Sequence, residues 1–184
     1  VSRLLSVAAL SAALALVGVA PAAREPVPAG VRVVYGPSPE AAAADVDALS
    51  RAKTSVDMAA YVLTDRTIVS ALAAAAGRGV TVRIYLDRDE LDRAPVRTLE
   101  DLATLGASKN VTIRAKARRT EAMHLKSYAI DRRLLRTGSA NFSYSGERAQ
   151  ENDIVFLDGA ALAGSFTRVF ETMWTRADNE SIGR

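Results

Sequence analysis

The stretch HLKSYAIDRRLLRTGSAN, residues 124–141, decides how this chain is read. Its first seven residues form a strand pattern in which side chains alternate between faces, so His124, Lys126, Tyr128 and Ile130 share one side. Asp131 ends that strand, and Arg132-Arg133 turn the chain into a second strand over Leu134–Thr137. Gly138-Ser139-Ala140-Asn141 follows at once. An imidazole and an ammonium about 7 Å apart on one face suit an anionic substrate. Ser139 and Asn141, again two apart, add a hydroxyl and an amide donor. A cationic pair and a neutral pair of this kind match the oxygens of a phosphate group.

Upstream of this stretch, strands alternate with helices. Val31–Tyr35 is a short β-branched strand, and Ser38-Pro39 supplies the cap and first residue of an Ala-rich helix reaching about Ala52. Ser55–Leu63 reads as a strand buried on both faces. Asp65 caps a helix over Arg66–Ala76, closed by Gly77 or Gly79. Val80–Leu86 is the clearest strand, followed by a helix over Val96–Leu105 and a strand over Val111–Ala115. Downstream come a strand over Asp153–Leu157 and a helix over Ala160–Ala177. That helix sets Leu162, Phe166, Val169, Phe170, Met173 and Trp174 on one face, a core stripe. Alternation followed by closely spaced strands predicts one α/β domain, a mixed β-sheet flanked by helices.

Composition narrows the chemistry. The chain has 184 residues, 49% of them hydrophobic and 24% charged, enough apolar mass to bury a core. It holds no cysteine, which removes disulfide frameworks and thiolate metal sites, and a single histidine, His124. No metal and no cofactor is expected. Asp87, Asp89, Glu90 and Asp92 form an acidic cluster, but Arg88 and Arg93 interrupt it and it lacks the spacing of a calcium loop. It reads as a solvated loop. Gly77-Arg78-Gly79 ends a helix and so is no phosphate-cradling loop. The net charge of +3 permits an anionic partner. Arg114, Lys116, Arg118 and Arg119 just before His124, with Arg132, Arg133 and Arg136 just after, read as contacts to a nucleic-acid backbone. Few aromatics interleave with them, so readout of base sequence is expected to be weak.

The N-terminus reads as an address. Arg3, the apolar run Leu4–Val19 and the small-residue exit Ala20-Pro21-Ala22 have the three parts of a secretory signal peptide. The expected organisation is a signal peptide over residues 1–22, with an uncleaved membrane anchor as the alternative, a linker over 23–30, and a catalytic domain over 31–184. Export to the periplasm or the exterior follows.

The spacing H-x-K-x4-D-x6-G-S-x-N, from His124 through Asn141, resembles the signature of the phospholipase D superfamily. Glu151-Asn152 before an apolar strand is similar to its small single-motif bacterial endonucleases, as are Ala60-Tyr61-Val62-Leu63-Thr64, Arg78-Gly79-Val80 and Val82–Arg88 upstream. Leu125, Ser127 and Arg136 depart from the usual residue types without touching a motif position. The resemblance implies that His124 attacks phosphorus and forms a phosphohistidine, that Lys126 and Asn141 hold the non-bridging oxygens, and that Ser139 supports them. Glu151 is implied to hydrogen-bond an imidazole and fix its tautomer, while Asp131 and Gly138 give structural support. A second imidazole is then needed as general acid. With one histidine per chain it has to come from another subunit, which predicts a homodimer with the active site at its two-fold interface. The function this implies is a metal-independent phosphodiesterase, a low-specificity endonuclease acting on DNA or RNA. The alternatives are a phospholipase D-type hydrolase acting on membrane phospholipid and a non-catalytic nucleic-acid-binding protein.

Overall fold

Among the described residues, β-branched and apolar runs supply eight strands that pair into one sheet, ordered by position along the chain as first, seventh, sixth, fifth, second, third, fourth and eighth. The computed structural model describes residues 30–117 and 121–183. The strands are β1 (Val31–Tyr35), β2 (Ser55–Ala60), β3 (Thr81–Leu86), β4 (Val111–Ala115), β5 (Lys126–Ile130), β6 (Leu134–Gly138), β7 (Asp153–Asp158) and β8 (Glu180–Ile182). The helices are α1 (Pro39–Ser50), α2 (Arg66–Gly77), α3 (Arg88–Arg93), α4 (Val96–Gly106), α5 (Tyr144–Arg148) and α6 (Ala160–Trp174). β2, β3 and β4 run parallel, joined by helical crossovers, and β5 turns back antiparallel against β2. The mixed α/β architecture expected from the alternation is the one observed. The leader and the linker lie outside the described residues, apart from Gly30.

Two apolar layers sandwich the sheet. On one face Val56, Met58, Val82, Ile84 and Tyr128 pack under α1, α2 and α4. On the other, Ala59, Tyr85, Ala129 and Leu135 meet Phe166, Phe170 and Trp174 of α6. Side chains two apart on a strand share a face, so every central strand feeds both layers. The apolar stripe of α6 is narrower than expected: Leu162 and Val169 are exposed at its margin, and the helix stops at Trp174. The capping chemistry matches the sequence, with Ser38 accepting from the Ala41 amide and Asp65 from the Thr67 amide.

Three elements differ from expectation. The acidic run after β3 is not a solvated loop but the short helix α3, whose cap Asp87 is buried. α5 and β8 also form where the residues carry no periodic signal. The strand expected from His124 begins at Lys126, leaving His124 in an irregular segment at the mouth of the sheet.

Candidate active site

The pairing register brings the motif residues to one edge of the sheet. Ala60 at the end of β2 faces both Lys126 at the start of β5 and Leu86 at the end of β3. Gly138 ends β6 opposite Ile154, and Asp153 starts β7 opposite Tyr35. Open α/β sheets form a crevice outside the carboxyl ends of their parallel strands where the strand order switches sides, and here β3 and β4 lie on one side of β2 while β5 lies on the other.

His124 is exposed, and the segment carrying it is tied down on both sides. The Tyr61 amide donates to the Leu125 carbonyl (2.8 Å), and the Met123 amide donates to Asp87 Oδ2 (2.7 Å). The Tyr61 ring lies 4.4 Å from the imidazole, centroid to centroid. Lys126 Nζ sits 3.2 Å from His124 Nε2, 3.3 Å from Nδ1 and 3.0 Å from the His124 carbonyl, and 4.7 Å from the Tyr61 ring centroid. Being nearly equidistant from the two ring nitrogens, the ammonium singles out neither lone pair. Burial, and secondly the charge of Arg136, hold the Lys126 pKa below its usual value, with Glu90 acting in the opposite sense. Glu90 also accepts from the Tyr61 hydroxyl (3.0 Å) and pairs with Arg93. The acidic run therefore buttresses the site through Asp87 and Glu90, a role its sequence did not show.

The second half of the motif is held by β7. Gly138 has φ of +137°, and a Cβ there would fall 2.4 Å from the Asp153 carbonyl, so glycine is required by conformation and by space. The Ser139 amide donates to Asp153, and its hydroxyl donates to Asn152 Oδ1 (3.0 Å) while accepting from the Asp153 amide (3.0 Å). Polar contact with the Ser139 side chain, and its amide as a further donor, lower the Asp153 pKa against the opposing effect of burial. Ser139 thus fixes the turn onto β7, and Asn152, which the sequence placed only as a neighbour of Glu151, is its partner. Asn141 is half-buried, and its shielded Oδ1 has no hydrogen-bond partner among the described residues. Glu151 is exposed beside Ser139 in a shallow hollow of about 470 Å³ shared with Val33, Tyr35 and Val155. Among the described residues it makes no hydrogen bond to His124 of its own chain.

Asp131 lies at the far edge and braces the fold there. At φ of +53° it accepts from the amides of Lys53, Thr54 and Ser55 and from the Thr54 hydroxyl, and these hydrogen bonds hold its pKa low against the opposing effect of burial.

The cation assignments need correction. Arg114 is engaged within the fold: its guanidinium donates to the Trp174 carbonyl (2.6 Å) and lies over the Trp174 ring. Lys116 is buried, its ammonium bound to the Glu121 carbonyl. Arg132 and Arg133 leave β5 at the opposite edge, roughly 15 Å or more from His124, and Arg133 pairs with Asp158. Arg136 is fully buried. For Arg132 and Arg133, closeness in sequence to His124 is not closeness in space, because β5 carries the chain away from the site. Arg118 and Arg119 lie outside the described residues.

An imidazole, an ammonium and a glycine-serine turn at the mouth of a mixed sheet define a phosphate-handling site. Residues 46–174 match the family model described as "Cardiolipin synthase, PLD-like domain", and the chain belongs to that phospholipase D-like family. It is similar to a phospholipase D of Rickettsia bellii, 29% identical over 121 residues, covering 65% of this chain and 57% of that protein. It is similar also to a mitochondrial cardiolipin hydrolase of Chlamydomonas reinhardtii, 26% identical over 141 residues, covering 76% of this chain and 60% of that protein. The chain thus spans little more than half the length of these relatives. Among solved structures, Nuc from Salmonella typhimurium, a phospholipase D family member, superposes with a TM-score of 0.74 at 29% identity, covering 84% of this chain and 98% of Nuc.

Proposed function

We propose that the protein is a metal-independent phosphodiesterase that cleaves nucleic-acid strands with little sequence preference. The observation that carries this reading is an open, polar rim on which the exposed His124 ring and the Lys126 ammonium stand 3.2 Å apart. The apolar hollow beside Tyr61, lined by Leu63, Leu86, Leu91 and Leu102, measures about 20 Å³, whereas small-molecule sites run to hundreds of cubic ångströms. A phosphodiester of an extended strand needs only the open edge.

In this mechanism the His124 ring nitrogen attacks phosphorus, and the bond to the leaving oxygen breaks as that oxygen takes a proton from a second imidazolium. Lys126 and the Asn141 amide draw charge from the non-bridging oxygens. Water then attacks the phosphohistidine, its proton returns to the second imidazole, and the phosphorus–nitrogen bond breaks. The second imidazole is His124 of the partner subunit in a homodimer. The hollow that holds Glu151, Val33 and Tyr35 is the face on which that copy seats, with Glu151 orienting the incoming ring. Export through residues 1–22 belongs to the same reading, and an N-terminal sequence of the secreted product starting near Ala23 tests it.

The protein incubated in excess EDTA with plasmid DNA, single strands, RNA and cardiolipin vesicles provides the test. Nicking of nucleic acid that persists in EDTA and vanishes in His124→Asn is the expected result. Cleavage of lipid alone moves the assignment to a phospholipase, and activity restored only by magnesium overturns the metal-free mechanism.

A further inference from the structure

Arg136 is one of the three residues at which this chain departs from the usual residue types of the motif stretch, and it is also a completely buried charge. Its side chain and that of Asp45 are both 0% exposed. Nε and Nη2 fork onto the two oxygens of Asp45 at 3.0 and 2.7 Å, and the guanidinium lies over the Phe142 ring. The remaining nitrogen, Nη1, donates to the Lys126 carbonyl (2.7 Å) and to the Ala140 carbonyl (3.1 Å). Lys126 opens β5 beside His124, and Ala140 lies between Ser139 and Asn141. One nitrogen thus bridges the two halves of the phosphate site.

We propose that Arg136 is a positioning residue. By gripping the main chain at Lys126 and Ala140 it sets the separation between the His124–Lys126 pair and the Ser139–Asn141 turn. Stability alone does not account for it, since a buried ion pair gains little over well-packed apolar side chains of equal volume. The planar fork does what an apolar side chain does not, fixing directions as well as contacts. Asp45 anchors the fork from α1 and is itself held by the Tyr128 hydroxyl (2.8 Å). Arg136 also acts on Lys126 through charge, and its sign opposes that of Glu90 from α3. Among the described residues, the other titratable groups against the ammonium are His124 and Tyr61.

The inference rests on the proposed function for its kinetic readout, and a second readout is independent of it. Arg136→Lys keeps the charge and loses the fork. The pair Asp45→Asn with Arg136→Gln removes both charges without stranding either one. In both variants kcat on a nucleic-acid substrate is expected to fall about 100-fold with KM nearly constant, the cost of a misplacement near 1 Å. The titration of Lys126, followed by NMR on 13C-labelled lysine, is expected to move upward in the double variant and to stay in place in Arg136→Lys. Amide shifts of Lys126, Ser139 and Asn141 are expected to move in both. If the wild-type protein cleaves no phosphodiester, the NMR arm still decides the inference. Folded variants with wild-type kcat, or with unmoved amide shifts at these three residues, overturn it. Should the double variant fail to fold, Arg136→Lys alone decides between the same two outcomes.

Discussion

Glu147 shows most sharply what a single residue costs when it is buried. It is 0% exposed, and among the described residues neither carboxyl oxygen accepts a hydrogen bond, the Arg148 guanidinium standing off at 3.9 Å. Burial, and next the negative Asp45 beside it, push its pKa from 4.5 up to about 9, while Arg136 pulls the other way. At neutral pH Glu147 therefore carries a proton, and the cluster of Asp45, Glu147 and Arg136 holds one negative and one positive charge. Between pH 4.5 and about 9 the folded chain keeps a proton that the unfolded chain has released. Stability contributed by this group is full below that window, declines through it by up to ~1.4 kcal/mol per pH unit, and levels off above it. Glu147→Gln is expected to flatten that decline, and urea midpoints of both proteins from pH 5 to 9.5 measure it. Neither Glu147 nor Arg136 was legible as buried in the sequence. A charged residue read alone belongs on the surface, and Asp45, the partner that reverses this, lies 91 positions from Arg136. His124 and Lys126 were legible because their spacing is local.

At the scale of elements, legibility follows length and periodicity. Helices of eleven or more residues and the apolar strands repeat their pattern often enough to be read within a few residues of their true ends. α3 has six residues and one buried apolar side chain, Leu91, so no period exists to detect. Its cap is nonetheless central to the site. Asp87 accepts from the Asp89 and Glu90 amides through one oxygen and from the Met123 amide through the other, tying α3 to the residue before His124. Asp87→Ala loses a cap worth about 1 kcal/mol and frees the His124 segment as well. The expected result is a modest drop in Tm with a disproportionate fall in kcat. A variant at the far end of α3, Arg93→Ala, removes the exposed partner of Glu90 and is expected to leave Tm nearly unchanged. Gly138→Ala tests the opposite wall: its added methyl meets the Asp153 backbone, so β6 and β7 must part. Loss of over about 1 kcal/mol of stability, together with activity, is expected, measured by thermal melts and plasmid nicking.

The whole molecule sets the last constraint. The register that gathers His124, Lys126 and the Gly138–Asn141 turn at one edge gathers only one imidazole, because the chain has only one. That count is legible in the amino-acid sequence. Which surface the proposed second copy would use is not, since Val33 and Tyr35 lie on β1, Glu151 just before β7, and only the pairing Tyr35↔Asp153 makes them neighbours. If each site uses His124 of both subunits, a single mutant chain disables a dimer. Wild-type and His124→Asn chains mixed in equal amounts, unfolded and refolded together, give about a quarter of dimers with two histidines. Activity is then expected to follow the square of the wild-type fraction across mixing ratios, whereas independent sites give a straight line. Tyr35→Glu places a charge on the proposed contact face and is expected to convert the protein to monomer by sedimentation and to abolish activity without lowering Tm as far as a core substitution does. A monomer that retains full activity, or a linear mixing curve, shows that one His124 suffices and removes the second subunit from the chemistry.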